Sequence, residues 1–126
     1  MKKPILSLAI STHFDAAHHL PNYDGKCANL HGHTWVVLVR VKGEIQSSGF
    51  VCDFTTLKKI VNDAINHLDH TELNNFLTNP TCENLAMYLF WILQEQLKGA
   101  NITLESVSIQ EGIGGGASFH GEMTDE

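Results

Sequence analysis

Apolar positions in the first stretch of the chain fall on every second residue. Leu6, Leu8, Ile10, Thr12, Phe14, Ala16 and His18 share one parity between residues 5 and 18, the period of a strand. Pro21-Asn22-Tyr23-Asp24-Gly25 then reads as a turn-rich loop. A second strand follows from His31 to Val41, with His31, His33, Trp35, Val37, Val39 and Val41 on one face. Gly43 to Gly49 forms a polar connection to a short strand, Phe50-Val51-Cys52. Behind Asp53, an N-cap, the period changes: Phe54, Leu57, Ile60, Val61, Ala64, Ile65 and Leu68 recur at helical spacing. Asn79-Pro80-Thr81 opens a second helix, with Thr81 as its cap and Gly99 just past its end. Its middle, Ala86 to Leu93, is apolar nearly all round, which predicts cover on more than one side. Thr103 to Glu111 alternates again, a glycine-rich loop follows, and Ala117 to His120 makes a last short strand. The order β-β-α-α-β-β predicts an α+β fold, an antiparallel sheet with two helices on one face.

Length adds that residues 1–126 form a single domain, and neither an internal repeat nor a linker interrupts it. Composition makes that domain globular, with 43% hydrophobic and 17% charged residues. A formal net charge of −6 argues against nucleic acid as a partner, because phosphate neutralisation needs clustered Lys and Arg. The longest apolar run, Leu85 to Leu93, is far short of the roughly 20 residues of a membrane span. Met1-Lys2-Lys3 leads into a strand-like segment without a signal-peptide core. Cys27, Cys52 and Cys82 are odd in number and follow no disulfide spacing, which predicts reduced thiols and a cytoplasmic protein.

Eight histidines, as many as Lys and Arg together, turn attention to metals. His31 and His33 stand two apart on a strand, so both imidazoles reach toward one point. If the first two strands pair as a hairpin, His18 comes beside His31. Three imidazoles without an evident fourth protein ligand match a zinc site with one open position. His13 lies most of a strand away and His19 has the opposite parity, so neither joins the set. Cys27 can be a ligand, a nucleophile or base, or an inert loop thiol; its loop position favours a reactive thiol. Cys82 at a helix start and Cys52 in an apolar strand read as structural. Asp69-His70 can serve as a carboxylate that orients an imidazole for proton transfer. Glu111 ends a strand and can be solvated or accept paired N–H donors.

These residues lie in collinear blocks: "FDAAHHL" (14–20), "CANLHGH" (27–33), "VCDFTTLK" (51–58), "LDHTELN" (68–74), "NPTCENLA" (79–86) and Glu111 after "SVSIQ". Together they resemble the superfamily of 6-pyruvoyl tetrahydropterin synthase and 6-carboxy-5,6,7,8-tetrahydropterin synthase. The three residues between Cys27 and His31 are similar to the 6-carboxy branch, which supplies queuosine and other 7-deazapurines. The resemblance implies the tunnelling fold (T-fold), a barrel of sheets from several subunits, usually a homohexamer built as a dimer of trimers, with active sites between subunits. It also implies zinc held by His18, His31 and His33, and Cys27 as the catalytic thiol. Asp69 and His70 become acid/base partners, and Glu111 the anchor of the pterin.

The implied substrate is 7,8-dihydroneopterin triphosphate, a small-molecule partner, which would yield 6-carboxytetrahydropterin, acetaldehyde and triphosphate. Two positions depart from the family pattern. Gly112 stands where Thr or Ser is common after the glutamate, and His19 where Arg is frequent; Lys26 is the cation that can replace that Arg at the phosphates. Alternatives on the same scaffold are 6-pyruvoyl tetrahydropterin formation, aldol cleavage of dihydroneopterin, and a non-catalytic pterin- or metal-binding oligomer. A metal-binding cupin shares His-x-His on a strand, but two central helices fit it poorly.

Overall fold

The computed structural model describes residues 2–125. Its frame is one long hairpin. Strand β1 (Ile5–His18) pairs antiparallel with β2 (His31–Glu44) along its full length, from Ile5 opposite Glu44 to His18 opposite His31. Period-two alternation specifies this register, because a slip of one residue would turn Phe14 and Trp35 out to water. Instead Ile10, Phe14, Ala16 and His18 of β1 and Trp35, Val37, Val39 and Val41 of β2 are buried on a common face.

Helix α1 (Phe54–Ile65) begins at Asp53, whose carboxylate accepts the Thr55 N–H at 2.8 Å. A 3₁₀ turn, Asn66–Leu68, extends it, and Leu57, Val61, Ala64, Ile65 and Leu68 face the sheet. Helix α2 (Cys82–Gln96) is capped by the Thr81 hydroxyl, which accepts the Asn84 N–H at 3.1 Å. Its buried side carries Leu85, Ala86, Leu89, Phe90 and Leu93. Each of these Leu, Ile, Val and Phe side chains taken fully out of water contributes about 1.5–3 kcal/mol before entropy is set against it. Both helices lie on the face that holds Trp35, while β4 (Thr103–Glu111) pairs with β2, and β5 (Gly115–Phe119) closes the other end of the sheet.

The sheet order is β3-β1-β2-β4-β5, where β3 is the two-residue strand Thr71–Glu72. Three differences from the sequence reading have physical reasons. First, β3 runs parallel to β1, pairing with Ala16 and Ala17, so the sheet is mixed although its four other strands are antiparallel. Two residues after a helix carry no periodicity to reveal such a strand. Second, Phe50-Val51-Cys52 is not a strand but a bend entering α1, and Cys52 is half-buried beside the core. Third, the alternation of β4 is broken where Arg40 opposes Ser106 but Val41 opposes Leu104, a bulge that puts Glu105 out of step. Among the described residues one side of α2 is left uncovered: Trp91 is half exposed, with Met87, Tyr88 and Ile92 half-buried around it.

Candidate metal centre

The hairpin register sets the centre. His18 closes β1 and His31 opens β2 as direct cross-strand partners, and His33 follows on the same face. Glu111, the last residue of β4, lies opposite Trp35. Nε2 of His18, His31 and His33 and a carboxylate oxygen of Glu111 all come within 4.8 Å of one another.

Each ring is steered from behind. His18, with 1% of its surface accessible, has Nδ1 2.8 Å from the Pro80 carbonyl, and His31 has Nδ1 2.7 Å from the Asn29 carbonyl. A carbonyl only accepts, so both Nδ1 atoms carry a hydrogen, which leaves Nε2 of each ring as the atom able to ligate. Those two Nε2 atoms are 3.1 Å apart. Burial holds the His18 pKa below its ordinary 6.5, against the opposing pull of the Pro80 carbonyl and Glu111, so its ring is neutral at pH 7. His33 Nε2 is 2.7 Å from Glu111 Oε1, but the ring's N–H direction misses that oxygen. His33 Nε2 is thus buried without a hydrogen-bond partner. Trp35 backs the cluster with its ring edge-on to His18 and His33, and its Nε1–H donates to the Ala16 carbonyl at 3.1 Å.

This arrangement suits a cation. Ligand atoms about 2.0–2.1 Å from a tetrahedral divalent metal sit about 3.3 Å from each other. The spacings here bracket that value: 3.1 Å between His18 and His31, with Glu111 Oε1 at 2.7 Å from His33 and 3.9 Å from His18. The residues therefore fit a divalent metal ion.

Asp69 and His70 form a second cluster, with Asp15. Asp69 Oδ1 accepts the Asp15 backbone N–H at 2.9 Å, and the His70 N–H donates to the Asp15 carbonyl at 2.6 Å. His70 takes a left-handed backbone, φ 59°, and its Nδ1 lies 2.9 Å from Asp69 Oδ2. The Asp15 N–H, and after it His70, hold the Asp69 carboxyl below its ordinary 3.8. Thr34 donates its hydroxyl to Asp15 Oδ1 at 2.5 Å. Asp15 and Thr34 belong to the face of the sheet away from the helices, whereas His18 and His33 belong to the covered face. The two clusters thus share one end of the sheet on opposite faces.

Cys27 stands outside both clusters, half-buried on the 3₁₀ turn Lys26–Ala28, where Lys26 is exposed. His13 and His19 are also outside them. Cys82 is buried and donates its S–H to Glu111 Oε2 at 3.6 Å; burial first, and the Glu111 charge next, push its pKa up to about 11. That thiol is a hydrogen-bond donor and not a nucleophile. Asp15, Thr34, the Pro80 and Asn29 carbonyls and the Cys82 contact are participants that the sequence reading did not identify. For Asp15 and Thr34 a signal existed, since pairing 18 with 31 puts 15 opposite 34.

Among the described residues no helix is long and apolar enough to cross a membrane. Residues 7–122 match the family model described as 6-pyruvoyl tetrahydropterin synthase. The dihydroneopterin monophosphate aldolase of Pyrococcus furiosus is 40% identical over 99 residues, 79% of this chain and 83% of that protein. The 6-carboxy-5,6,7,8-tetrahydropterin synthase of Synechocystis is 41% identical over 90 residues, 65% of this chain and 70% of that one. The solved 6-pyruvoyl tetrahydropterin synthase of Caenorhabditis elegans superposes with a TM-score of 0.85 at 29% identity, covering 97% of this chain and 100% of that chain. Sequence blocks, sheet and helices therefore agree, and the chain belongs to the 6-pyruvoyl tetrahydropterin synthase family, with its T-fold.

Proposed function

We propose that the chain is a zinc-dependent 6-carboxy-5,6,7,8-tetrahydropterin synthase. It converts 7,8-dihydroneopterin triphosphate and water into 6-carboxytetrahydropterin, acetaldehyde and triphosphate, in the service of 7-deazapurine synthesis. The observation that carries the reading is the convergence of ring nitrogens from His18, His31 and His33 within 4.8 Å of one another, two of the rings fixed by backbone carbonyls. Zinc bound there supplies Lewis-acid chemistry, polarising a side-chain oxygen of the substrate so that a neighbouring proton is lost more readily.

The chain's own residues do the rest. Cys27 and His70 move protons, and Asp69, ionised and bonded to His70 Nδ1, leaves the other ring nitrogen of His70 to take and return one. Glu111 receives the two parallel donors of the pterin's amidine edge, and Lys26 neutralises phosphate. Because the two clusters lie on opposite sheet faces, Asp69 and His70 serve a metal centre in another subunit. Free edges support such an assembly: β3 covers only Ala16 and Ala17 of β1, and β5 pairs on one side alone. A homohexamer of two trimers joins those edges.

A second reading is aldol cleavage of a dihydroneopterin phosphate, favoured by the identity to the Pyrococcus furiosus aldolase. Incubation of the zinc-loaded protein with dihydroneopterin triphosphate separates the readings. Acetaldehyde, assayed with alcohol dehydrogenase, and a pterin bearing a one-carbon carboxylate by mass are the expected products. A pyruvoyl side chain without acetaldehyde, or a hydroxymethyl pterin, refutes the synthase reading.

A further inference from the structure

We infer that Thr34 is a positioning residue for His70: its hydroxyl holds the Asp15 carboxylate back, so that the imidazole has Asp69 as its single acidic partner. The inference rests on the proton-transfer role proposed for His70 above, although the spectrum that tests it does not need turnover. A carboxylate oxygen of Asp15, one of Asp69 and a ring nitrogen of His70 all lie within 4.8 Å of one another. Two acidic groups thus stand beside one ring, and that ring's side chain is 78% accessible, so packing does little to fix it. It nonetheless pairs with Asp69, Nδ1 to Oδ2 at 2.9 Å.

The neighbouring strand supplies the reason. Asp15 and Thr34 are direct cross-strand partners, and the Thr34 hydroxyl donates to Asp15 Oδ1 at 2.5 Å. That length belongs to charge-assisted O–H···O⁻ bonds, the stronger class. A β-branched side chain is stiff at χ1, so the hydroxyl is a fixed point on β2, whose 14 residues pair with β1 along their full length. Asp69 and His70 have no such frame of their own, lying between a 3₁₀ turn and the two-residue β3. The Asp15 backbone carries them: its N–H goes to Asp69 Oδ1 at 2.9 Å, and its carbonyl takes the His70 N–H at 2.6 Å. Asp15 therefore holds the pair through its main chain, while its side chain is a rival acceptor at the same place. With the hydroxyl gone, that carboxylate is free to turn to the ring and to repel the Asp69 charge. His70 then divides between two acceptors, and the nitrogen left to exchange a proton is no longer always the same one. Asp15, Thr34 and His70 line one open depression, so the ring is within reach of a ligand seated there.

Nitrogen-15 labelling at histidine reports the tautomer of each ring at about pH 8.5, where imidazoles are ordinarily neutral; loss of signals in His70→Gln identifies those of His70. Unmutated protein should show one His70 tautomer, with the hydrogen on Nδ1. Thr34→Val keeps the shape and loses the hydroxyl, and should show a mixture of two. It should also lower kcat about ten-fold with KM within about two-fold, a part of the roughly 10²–10⁴ that a positioned acid–base group supplies. Thr34→Ser should restore both. Asp15→Asn added to Thr34→Val should return the single tautomer, because the rival charge is gone; a hydroxyl needed only to staple the hairpin would not be replaced by that second change. Thermal melts by circular dichroism check the fold. If Thr34→Val does not fold, Thr34→Ala takes its place, and if neither folds, the hydroxyl is structural and the inference fails. An unchanged His70 spectrum in Thr34→Val overturns the inference, as does a double variant as mixed as the single one. A mixed spectrum with kcat unchanged leaves the restraint in place and overturns His70 as the proton carrier. Absence of turnover in the unmutated protein refutes the synthase reading, and the spectra then decide the inference alone.

Discussion

Adding zinc to chelator-stripped protein should raise its melting temperature by about 10 °C. The Nε2 atoms of His18 and His31, 3.1 Å apart, are brought together in the folded chain and not in the unfolded one, so metal binds the native state selectively. At a free concentration one hundred times Kd, that linkage contributes about 2.7 kcal/mol. Unfolding entropy near 60 °C is roughly 2.1 cal/mol/K per residue, so 126 residues give about 0.26 kcal/mol/K, and the quotient is the shift stated. The assay is a thermal melt by circular dichroism with zinc titrated in, repeated on His31→Ala and His33→Ala, which should lose most of the shift. The metal-free chain adds a pH arm. The His18 pKa is lowered in the native state from 6.5, so above pH 6.5 the ring is neutral folded or unfolded and its contribution is complete. Below 6.5 the unfolded ring gains a proton that the buried ring resists, and stability falls until the folded pKa is passed. No zinc-dependent shift at saturation, or an equal shift in both alanine variants, would refute the reasoning.

Cys27→Ala should keep the full zinc-dependent shift and abolish turnover; loss of the shift would make the thiol a ligand. Light scattering at micromolar concentration should find an oligomer, and a stable monomer would contradict a site shared between subunits. Trp35→Phe removes a fully buried indole and its bond to the Ala16 carbonyl, at a cost of about 1–3 kcal/mol, and should reduce the zinc-dependent shift by freeing His18 and His33. An unchanged melt and an unchanged zinc-dependent shift would show that the indole braces neither the fold nor the rings.

Parity carried most of the fold in the sequence. Alternation from Leu6 to His18 and from His31 to Val41 already implied the hairpin, and the hairpin implied the meeting of His18, His31 and His33. Helical spacing behind Asp53 located the first helix, and the Thr81 cap with Gly99 beyond it the second, each to within a few residues. What stayed hidden was set by groups that have no side-chain signature. The Pro80 and Asn29 carbonyls that orient two rings are backbone, and any residue there would offer the same atom. The parallel strand β3 is too short for a period, and the bulge at Glu105 depends on pairing and not on residue type. The Cys82–Glu111 contact joins elements 29 positions apart in sequence, which only tertiary packing brings together.

The division of the two clusters between opposite sheet faces has a genetic consequence. A chain crippled at His31 keeps an intact Asp69–His70 pair, and a chain crippled at His70 keeps an intact set of metal-binding imidazoles. In the shared-site assembly proposed above, neither defect is confined to the site of its own chain. Two alleles, each inactive alone, should therefore complement one another when co-expressed, because some mixed assemblies join a sound metal face to a sound proton-transfer face. The same architecture predicts that excess of a doubly defective chain poisons its normal partner. Selection then acts on the assembly as a population of interfaces, and one gene's two active-site halves can be inherited, lost and rescued as if they were separate loci.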